Sequence, residues 1–258
     1  MSIGSFILVK NEIAWIKSHI ENVAPHLDEM VFFDGNSTDG TLEYLLKSSK
    51  KYPHIKVHKN RDPRNLKDDY TFLFDQCLRT LTTDWAIFLH PDMWVENPKK
   101  LKVIGELFGT AMSCDMVSYC GEPKKQLYRI DQGRGDSWKN IYRLRNPDLG
   151  AHYFGWYGAA NEDVYFSKIS GDAHHFHGTD FQKYPYDVIE SGLVIHHFSD
   201  VRPYERRLSR MVSCLMNQGA DKKTALKIAK EHPRVTLDSN HYFKISPCMD
   251  PRRTTANV

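Results

Sequence analysis

The fold follows from the stretch Met30-Val-Phe-Phe-Asp-Gly-Asn-Ser-Thr-Asp-Gly-Thr-Leu-Glu43. Its apolar run stops at Asp34, and three turn residues come next: Gly35, Asn36 and Ser37. The leucine-bearing segment beyond them is predicted to be a helix, capped by Thr38, Asp39 or Thr41. We therefore predict a buried strand that delivers an acidic, hydroxyl-rich loop to the carboxyl edge of an α/β sheet, where open sheets bind ligands. Taken alone, these residues also suit an ordinary strand-to-helix turn.

The composition is that of a globular protein with local positive charge. The chain has 258 residues, of which 41% are hydrophobic and 12% aromatic, and its net charge is +3. This excess is too small to argue for nucleic-acid binding. Residues 50–67 nevertheless hold seven Lys or Arg against one acid, and residues 202–210 hold four Arg against one Glu. Both stretches suit either a solvated face or contact with an acidic ligand.

The cysteine pattern and the hydropathy indicate the compartment. The five cysteines are an odd number without CxxC spacing, which is typical of a reducing compartment. No basic leader precedes the first apolar residues, and no run approaches the roughly 18–20 apolar residues of a membrane span. We expect a soluble, cytoplasmic protein without a transmembrane segment.

Residues 1–110 alternate between strand and helix patterns. Strands are predicted at 5–9, 30–33, 55–58 and 85–89, with helices between them. The first helix carries one apolar stripe and ends at Pro25; the stripe consists of Trp15, Ile16, His19, Ile20 and Val23. This alternation predicts a doubly wound, Rossmann-like, mostly parallel sheet with helices on both faces.

The rest of the chain has a different character. Residues 121–192 are rich in Gly, Tyr, His and Asp, and we interpret them as loops and irregular mixed sheet on the acceptor side of a site. Helices are predicted at 202–218 and 222–230. Beyond residue 233 the periodicity fades, so a poorly ordered tail is expected.

A second acidic turn is predicted at the same sheet edge. The fourth strand ends in Phe88-Leu-His-Pro-Asp-Met93, which places His90 and Asp92 beside Asp34 and Asp39. Carboxylates gathered there would repel one another unless a cation bridged them. A hard divalent metal that carries phosphate oxygens suits this position. A polar turn at a strand end, without a metal, is the alternative.

Three motifs together resemble the family 2 glycosyltransferases of the GT-A fold. They are Lys10-Asn11-Glu12 after the first strand, the loop from Asp34 to Thr41, and His-Pro-Asp after the fourth strand. The resemblance implies that the loop cradles the nucleotide of a nucleotide-diphosphate sugar, with Asp34 and Asp39 on the base and ribose. Asp92 would hold Mn²⁺ or Mg²⁺ on the diphosphate, whereas His90 stands where the family usually has Asp. The donor-binding residues implied are Lys10, Asn11, Glu12, Asp34, Asn36, Ser37, Asp39, Lys67 and Arg202.

The second half carries weaker parts of the same resemblance. In Gly155-Trp-Tyr-Gly-Ala-Ala-Asn-Glu-Asp163, an acid would be the general base of an inverting enzyme. Glu162 is preferred over Asp163, and an exposed acidic turn is the alternative. In Gly192-Leu-Val-Ile-His-His-Phe-Ser199, His197 fits the family's metal- or diphosphate-contacting position better than His196. The arginines just beyond would neutralise leaving-group charge: Arg202, Arg206 and Arg207.

The resemblance implies one GT-A domain at 1–200, with donor binding in 1–110 and the acceptor side in 111–200, and a helical extension at 201–258. The function implied is transfer of a sugar to an acceptor hydroxyl, the acceptor being a saccharide. Two alternatives stay open. A hydroxylated base in nucleic acid is an alternative acceptor, suggested by the basic stretches. A non-catalytic nucleotide-sugar binder is the other, suggested by His90.

Overall fold

A computed structural model of the chain describes residues 2–59, 80–104, 111–121, 127–130, 137–143, 153–157, 164–168, 188–217, 219–237 and 242–244. The strands are β1 Ile3–Val9, β2 Glu29–Asp34, β3 Ile55–Lys59, β4 Trp85–Phe88, β5 Met93–Val95, β6 Ala111–Gly121, β7 Leu127–Ile130, β8 Ser137–Arg143, β9 Tyr153–Tyr157, β10 Val164–Lys168, β11 Val188–Val201 and β12 Tyr242–Lys244. The helices are α1 Ile13–Val23, α2 Thr41–Lys51, α3 Leu101–Ile104, α4 Tyr204–Asn217, α5 Lys222–Glu231 and α6 Pro233–Thr236, with short 3₁₀ turns at Ala24–His26 and Pro98–Lys100.

The chain divides into two compact units. The first contains residues 1–116 and 135–195, and the second contains residues 117–134 and 196–258. In the first unit the strand order is β6-β8-β4-β1-β2-β3. The strands β4, β1, β2 and β3 run parallel, whereas β8 is antiparallel to both β4 and β6. The domain boundaries inferred from the resemblance stay a prediction.

Strand β1 lies at the centre of the parallel part, and all seven of its residues are buried. Burial on both faces explains why this strand is apolar apart from Ser5 rather than alternating. Helix α1 packs its predicted stripe inward, and all five stripe residues are buried. Ile16, Ile20 and Val23 of this stripe form the core of the first unit together with side chains of β1, β2, β4 and β5. Among the described residues, no helix is long and apolar enough to cross a membrane.

In the second unit the last residues of β6 pair antiparallel with β7, and β7 pairs antiparallel with β12. Helices α4, α5 and α6 lie between β11 and β12 in the chain. Helix α5 begins at a side-chain cap, because Asp221 accepts hydrogen bonds from the backbone N–H groups of Lys223 and Thr224. Residues 233–236 and 242–244 form a helix and a strand where a poorly ordered tail was expected, so that expectation is wrong for these residues.

Gly4 in β1 has no room for a side chain. A methyl group there would lie 2.6 Å from Thr83 Oγ1 and 2.8 Å from Leu81 Cδ2. We expect Gly4→Ala to lower the free energy of unfolding by about 1–3 kcal/mol, as overpacking does. Ser5→Ala in the same strand is the matched control. The Ser5 hydroxyl is buried without a hydrogen-bond partner in the described residues, so its loss should be near neutral. Urea denaturation measures both, and equal stability of the two variants would contradict this packing.

Burial of His19 makes the first unit sensitive to acid. Burial lowers the pKa of His19 from 6.5 to about 4, against the opposing effects of a hydrogen bond to the Met93 carbonyl and the charge of Asp92. The unfolded chain therefore binds more protons between these two values, and stability must fall as the pH falls from about 6.5 to about 4. The loss amounts to about 3 kcal/mol. Unfolding free energies at pH 7 and pH 4.5 should differ less in His19→Asn than in the native chain. An identical acid dependence in both proteins would show that His19 titrates normally.

Candidate functional site

Three predicted motifs lie at one edge of the parallel sheet. Strand β1 pairs in parallel with β2, with Val9 opposite Asp34, and also with β4, with Phe6 opposite Phe88. Parallel strands end at the same edge, so the segments that follow β1, β2 and β4 are brought together there. These segments carry Lys10 to Glu12, Asp34 to Asp39, and His90 to Asp92.

Asp34 is a buried carboxylate at the end of β2, and one of its oxygens accepts a hydrogen bond. Its Oδ2 accepts a hydrogen bond of 3.0 Å from the backbone N–H of Ser37, which closes the loop. Its Oδ1 is also buried but has no hydrogen-bond partner among the residues that the structure describes. Buried polar atoms are nearly always hydrogen-bonded, so this oxygen marks a place where a ligand donor is expected.

The loops after β1 and β2 are joined by reciprocal hydrogen bonds through Asn11. The backbone N–H of Asn11 donates to Ser37 Oγ at 2.9 Å, and the backbone N–H of Thr38 donates to Asn11 Oδ1 at 2.8 Å. Both Asn11 and Asn36 have left-handed backbone angles, with φ of 58° and 61°. Asparagine tolerates this region better than most residues, which explains its use at both turns.

Asp39 joins the same two loops at the start of α1 and α2. Its Oδ2 accepts from the backbone N–H of Ile13 at 3.1 Å, and its Oδ1 accepts from the backbone N–H and the hydroxyl of Thr41 at 3.0 and 2.5 Å. Thr41 Oγ1 in turn accepts from the backbone N–H of Glu12 at 2.9 Å. Partial burial raises the pKa of Asp39, but the hydrogen bonds from Thr41 and Ile13 outweigh it and the net pKa is lowered. Both Asp39 oxygens thus organise the loop, and its contact with a ribose or base stays a prediction.

Asp92 lies in a tight turn immediately after β4. The backbone N–H of Met93 donates to the His90 carbonyl at 3.0 Å, which places Pro91 and Asp92 at the two central positions. Proline favours the first of these positions because its φ is already fixed. Asp92 is buried, and the His90 ring packs edge-on against Phe88 at 4.4 Å. Within the described ranges no three His, Cys, Asp or Glu residues form a metal-binding group.

In the second unit the two adjacent histidines of β11 have different surroundings. His196 is buried, and its Nδ1 is 2.9 Å from the hydroxyl of Tyr119. Phe198 lies on the same side of β11, where its ring stacks on Tyr119 at 4.9 Å. Side chains alternate along a strand, so His197 points to the opposite side and is partly exposed. His196 therefore has a packing role, and His197 remains the candidate for contact with a ligand.

The three arginines after β11 differ in role. Arg207 is buried, and its guanidinium donates to the carbonyls of Gly121 and Val235 at 3.0 and 3.1 Å, and also to that of Arg202. The hypothesis that Arg207 neutralises a leaving group is therefore wrong, because its donors are directed at the backbone of its own unit. Arg202 is partly exposed and Arg206 is exposed. Three other predicted residues lie outside the described residues: Lys67, Glu162 and Asp163.

Sequence reasoning did not identify His19 and Asn22 of α1 as residues that hold β5, the strand that follows Asp92. His19 Nδ1 contacts the Met93 carbonyl at 3.0 Å, and the Asn22 side chain is paired with the backbone of Val95. His19 was predicted only as part of the buried stripe. Its polar character within an otherwise apolar stripe is the signal that could have identified it.

Replacing Asn11 tests the link between the two loops. Asn11→Ala removes the acceptor for Thr38 and forces alanine into the left-handed region, so we expect a loss of about 2 kcal/mol in unfolding free energy. Asn11→Gly keeps the backbone conformation and loses only the acceptor, so it should be less destabilising by about 1 kcal/mol. Denaturant melts of the two variants give the comparison. Equal stabilities would mean that the left-handed conformation is not required.

The match to a family model agrees with the motifs. The model of a family described as "Glycosyl transferase family 2" matches residues 6–182. No curated protein sequence matches the chain. Among solved structures, TarS from S. aureus is 18% identical over 55% of this chain and 28% of its own length, with a TM-score of 0.42. The mannosyltransferase PcManGT from Pyrobaculum calidifontis, in complex with GDP-Man and Mn²⁺, is 12% identical over 99% of this chain and 83% of its own, with a TM-score of 0.49. Glucosyl-3-phosphoglycerate synthase from Mycobacterium tuberculosis is 15% identical over 85% and 81%, with a TM-score of 0.45.

Proposed function

The chain belongs to glycosyl transferase family 2, and we propose that it transfers a sugar from a nucleotide-diphosphate sugar to an acceptor hydroxyl. The match of the family model to residues 6–182 confirms the family and the enzyme class predicted from the motifs. The parallel strands with their connecting helices agree with the predicted α/β, GT-A-like fold class. The base of the donor, the metal, the stereochemistry and the acceptor are parts of the proposal.

The observation that carries the donor assignment is the buried Oδ1 of Asp34. Oδ1 is buried without a hydrogen-bond partner in the described residues, and an unsatisfied buried acceptor costs about 1–3 kcal/mol. A ring N–H of uracil, thymine or guanine would satisfy it, whereas the corresponding ring nitrogen of cytosine carries a lone pair. We therefore propose a donor base with a ring N–H, and the family resemblance favours uridine. The adjacent loop, with Asn36 exposed and Ser37 partly exposed, would contact the ribose.

A divalent metal fits the turn that carries Asp92. Mg²⁺ in nucleotide sites is held by one or two carboxylates together with substrate phosphates, rather than by an all-protein cage. Asp92 is a buried carboxylate at the ligand edge of the sheet and suits that donor set. Asp92 would be the first ligand of Mn²⁺ or Mg²⁺, with His90 and His197 as further candidates. The bound metal would neutralise the charge of the departing diphosphate, and the cations proposed to assist are Lys10, Lys67 and Arg202.

The chemistry proposed for the acceptor side needs one carboxylate base. Glu162, or Asp163 next to it, would accept the proton of the acceptor hydroxyl while that oxygen bonds to the anomeric carbon. The bond between the anomeric carbon and the diphosphate oxygen breaks on the opposite face, so the sugar configuration inverts. The nucleotide diphosphate carries away the bonding electron pair.

We propose a saccharide as the acceptor. The alternative, a hydroxylated nucleic-acid base, rested partly on the arginines at 202–210, and one of these is buried against backbone carbonyls. Binding of RNA or DNA that weakens steeply with salt would restore this alternative. Absence of binding at low salt would remove it.

Two substitutions test the catalytic roles. We expect Asp92→Ala to abolish turnover, because the diphosphate loses its metal, and EDTA should do the same to the native protein. Glu162→Gln should reduce turnover by about 10²–10⁴-fold and leave donor affinity nearly unchanged, because only proton removal is lost. Glu43→Gln on the exposed side of α2 is the control and should have full activity.

The assay measures release of the nucleoside diphosphate from a panel of donors with Mn²⁺ present. Full activity of Glu162→Gln would move the base to Asp163 or to another group. Binding of donors without turnover of any of them would favour the non-catalytic binder suggested by His90.

A further inference from the structure

Strand β5 is three residues long and follows Asp92 directly. One of its edges has a strand neighbour, because the N–H of Glu96, just after β5, donates to the Val194 carbonyl of β11 at 3.0 Å. The backbone groups of Met93 and Val95 point the other way, since hydrogen-bonding directions alternate along a strand. On that edge the partner is helix α1.

Two polar side chains of α1 take the place of a neighbouring strand. The Asn22 carboxamide donates to the Val95 carbonyl at 3.0 Å and accepts from the Val95 N–H at 2.8 Å, as a peptide group in a ladder would. His19 Nδ1 lies 3.0 Å from the Met93 carbonyl and must be the donor, because a carbonyl only accepts. His19 and Asn22 are three residues apart, so they lie on the same side of the helix.

The first residue of helix α1 and the residue before it are hydrogen-bonded to the loop after β2, which is the loop proposed to bind the nucleotide. The N–H of Ile13, its first residue, donates to Asp39, and the N–H of Glu12 just before it donates to Thr41 Oγ1. Helix α1 thus has hydrogen bonds to the loop after β2 at one end and to β5 along its side. All of these groups belong to the first unit.

We propose that His19 and Asn22 are positioning residues for Asp92. By holding the backbone of Met93 and Val95, they set the Asp92 turn at a fixed distance from the loop that binds the nucleotide. A nucleoside diphosphate has a limited reach between its base and its metal-binding phosphates, so this distance determines whether one ligand reaches both Asp34 and Asp92. The inference rests on the proposed function, because it assigns a role to residues that would support the donor and its metal.

The chemistry of the two positions supports this assignment. The other four residues of the buried stripe are apolar, and an apolar residue at position 19 would continue the stripe. It would leave the Met93 carbonyl without its donor on the edge that faces α1. A histidine and an asparagine at these two places therefore serve the backbone that follows Asp92.

The test measures ligand binding rather than turnover. Mn²⁺ is titrated into the full chain in the presence of saturating UDP, with free Mn²⁺ followed by electron paramagnetic resonance, and UDP is titrated alone by calorimetry. We expect His19→Ala and Asn22→Ala to weaken Mn²⁺ binding at least about tenfold, as loss of supporting hydrogen bonds does in metal sites. UDP affinity without metal should change less than about twofold.

His19→Asn should restore Mn²⁺ affinity to within about threefold, because its side-chain nitrogen can occupy the place of Nδ1. Ile16→Val is the control, since it weakens packing of the same buried stripe without removing a hydrogen bond. If His19→Ala does not fold, the Mn²⁺ affinity of Asn22→Asp tests the proposal instead, and we expect it to be weakened. This substitution keeps the size of the side chain and the acceptor for the Val95 N–H, but places a carboxylate oxygen against the Val95 carbonyl.

The outcomes distinguish failure of the positioning role from failure of the proposed function. If the native protein binds UDP and Mn²⁺ and the variants bind both equally well, this inference alone is overturned. The inference is also overturned if Ile16→Val weakens Mn²⁺ binding as much as Asn22→Ala does, because general destabilisation would then explain the effect. Native protein that binds UDP without Mn²⁺ overturns the metal assignment and this inference together. Native protein that binds no nucleoside diphosphate overturns the proposed function.

Discussion

The parallel pairing of β1 with both β2 and β4 is the constraint on which the site depends. It makes three loops leave the sheet at one edge, with Asp34 and the Asp92 turn on opposite sides of the loop after β1. Pairing in the opposite direction would place one of the two acids at the far edge. The burial of β1 on both faces favours this arrangement, since parallel strands need cover on each side.

The loops at this edge are held by side chains rather than by further regular structure. Asn11, Asp39 and Thr41 satisfy backbone N–H groups at the turns and at the beginning of α1 and α2. Each of these polar atoms is thereby engaged, whereas Asp34 retains one buried oxygen without a partner in the described residues. A loop held by these hydrogen bonds beside an acceptor that has no partner in the described residues is well suited to select a ligand, because the cost of ordering the loop is met during folding.

The sequence was sufficient to predict β1, β2 and β4, because each is a largely apolar run that ends at polar turn residues. It was also sufficient to predict the shared edge and its acids, since connectivity alone places them there. Strand β5 was not predicted, because three residues show no periodicity and its partners on one edge are side chains of α1. The burial of Arg207 was missed because four arginines in one short stretch give no sign of which one packs inward. Alternation along β11 distinguishes His196 from His197 only once Tyr119 is known to lie beside it.

The central claim is that Asp34 accepts a hydrogen bond from the ring N–H of a donor base. Calorimetric titration of UDP, GDP and CDP into the native chain and into Asp34→Asn tests it most directly. The account predicts that UDP or GDP binds at least about tenfold more tightly than CDP, and that Asp34→Asn removes this preference. It would be contradicted if CDP bound as tightly as the other two, or if the preference persisted in Asp34→Asn.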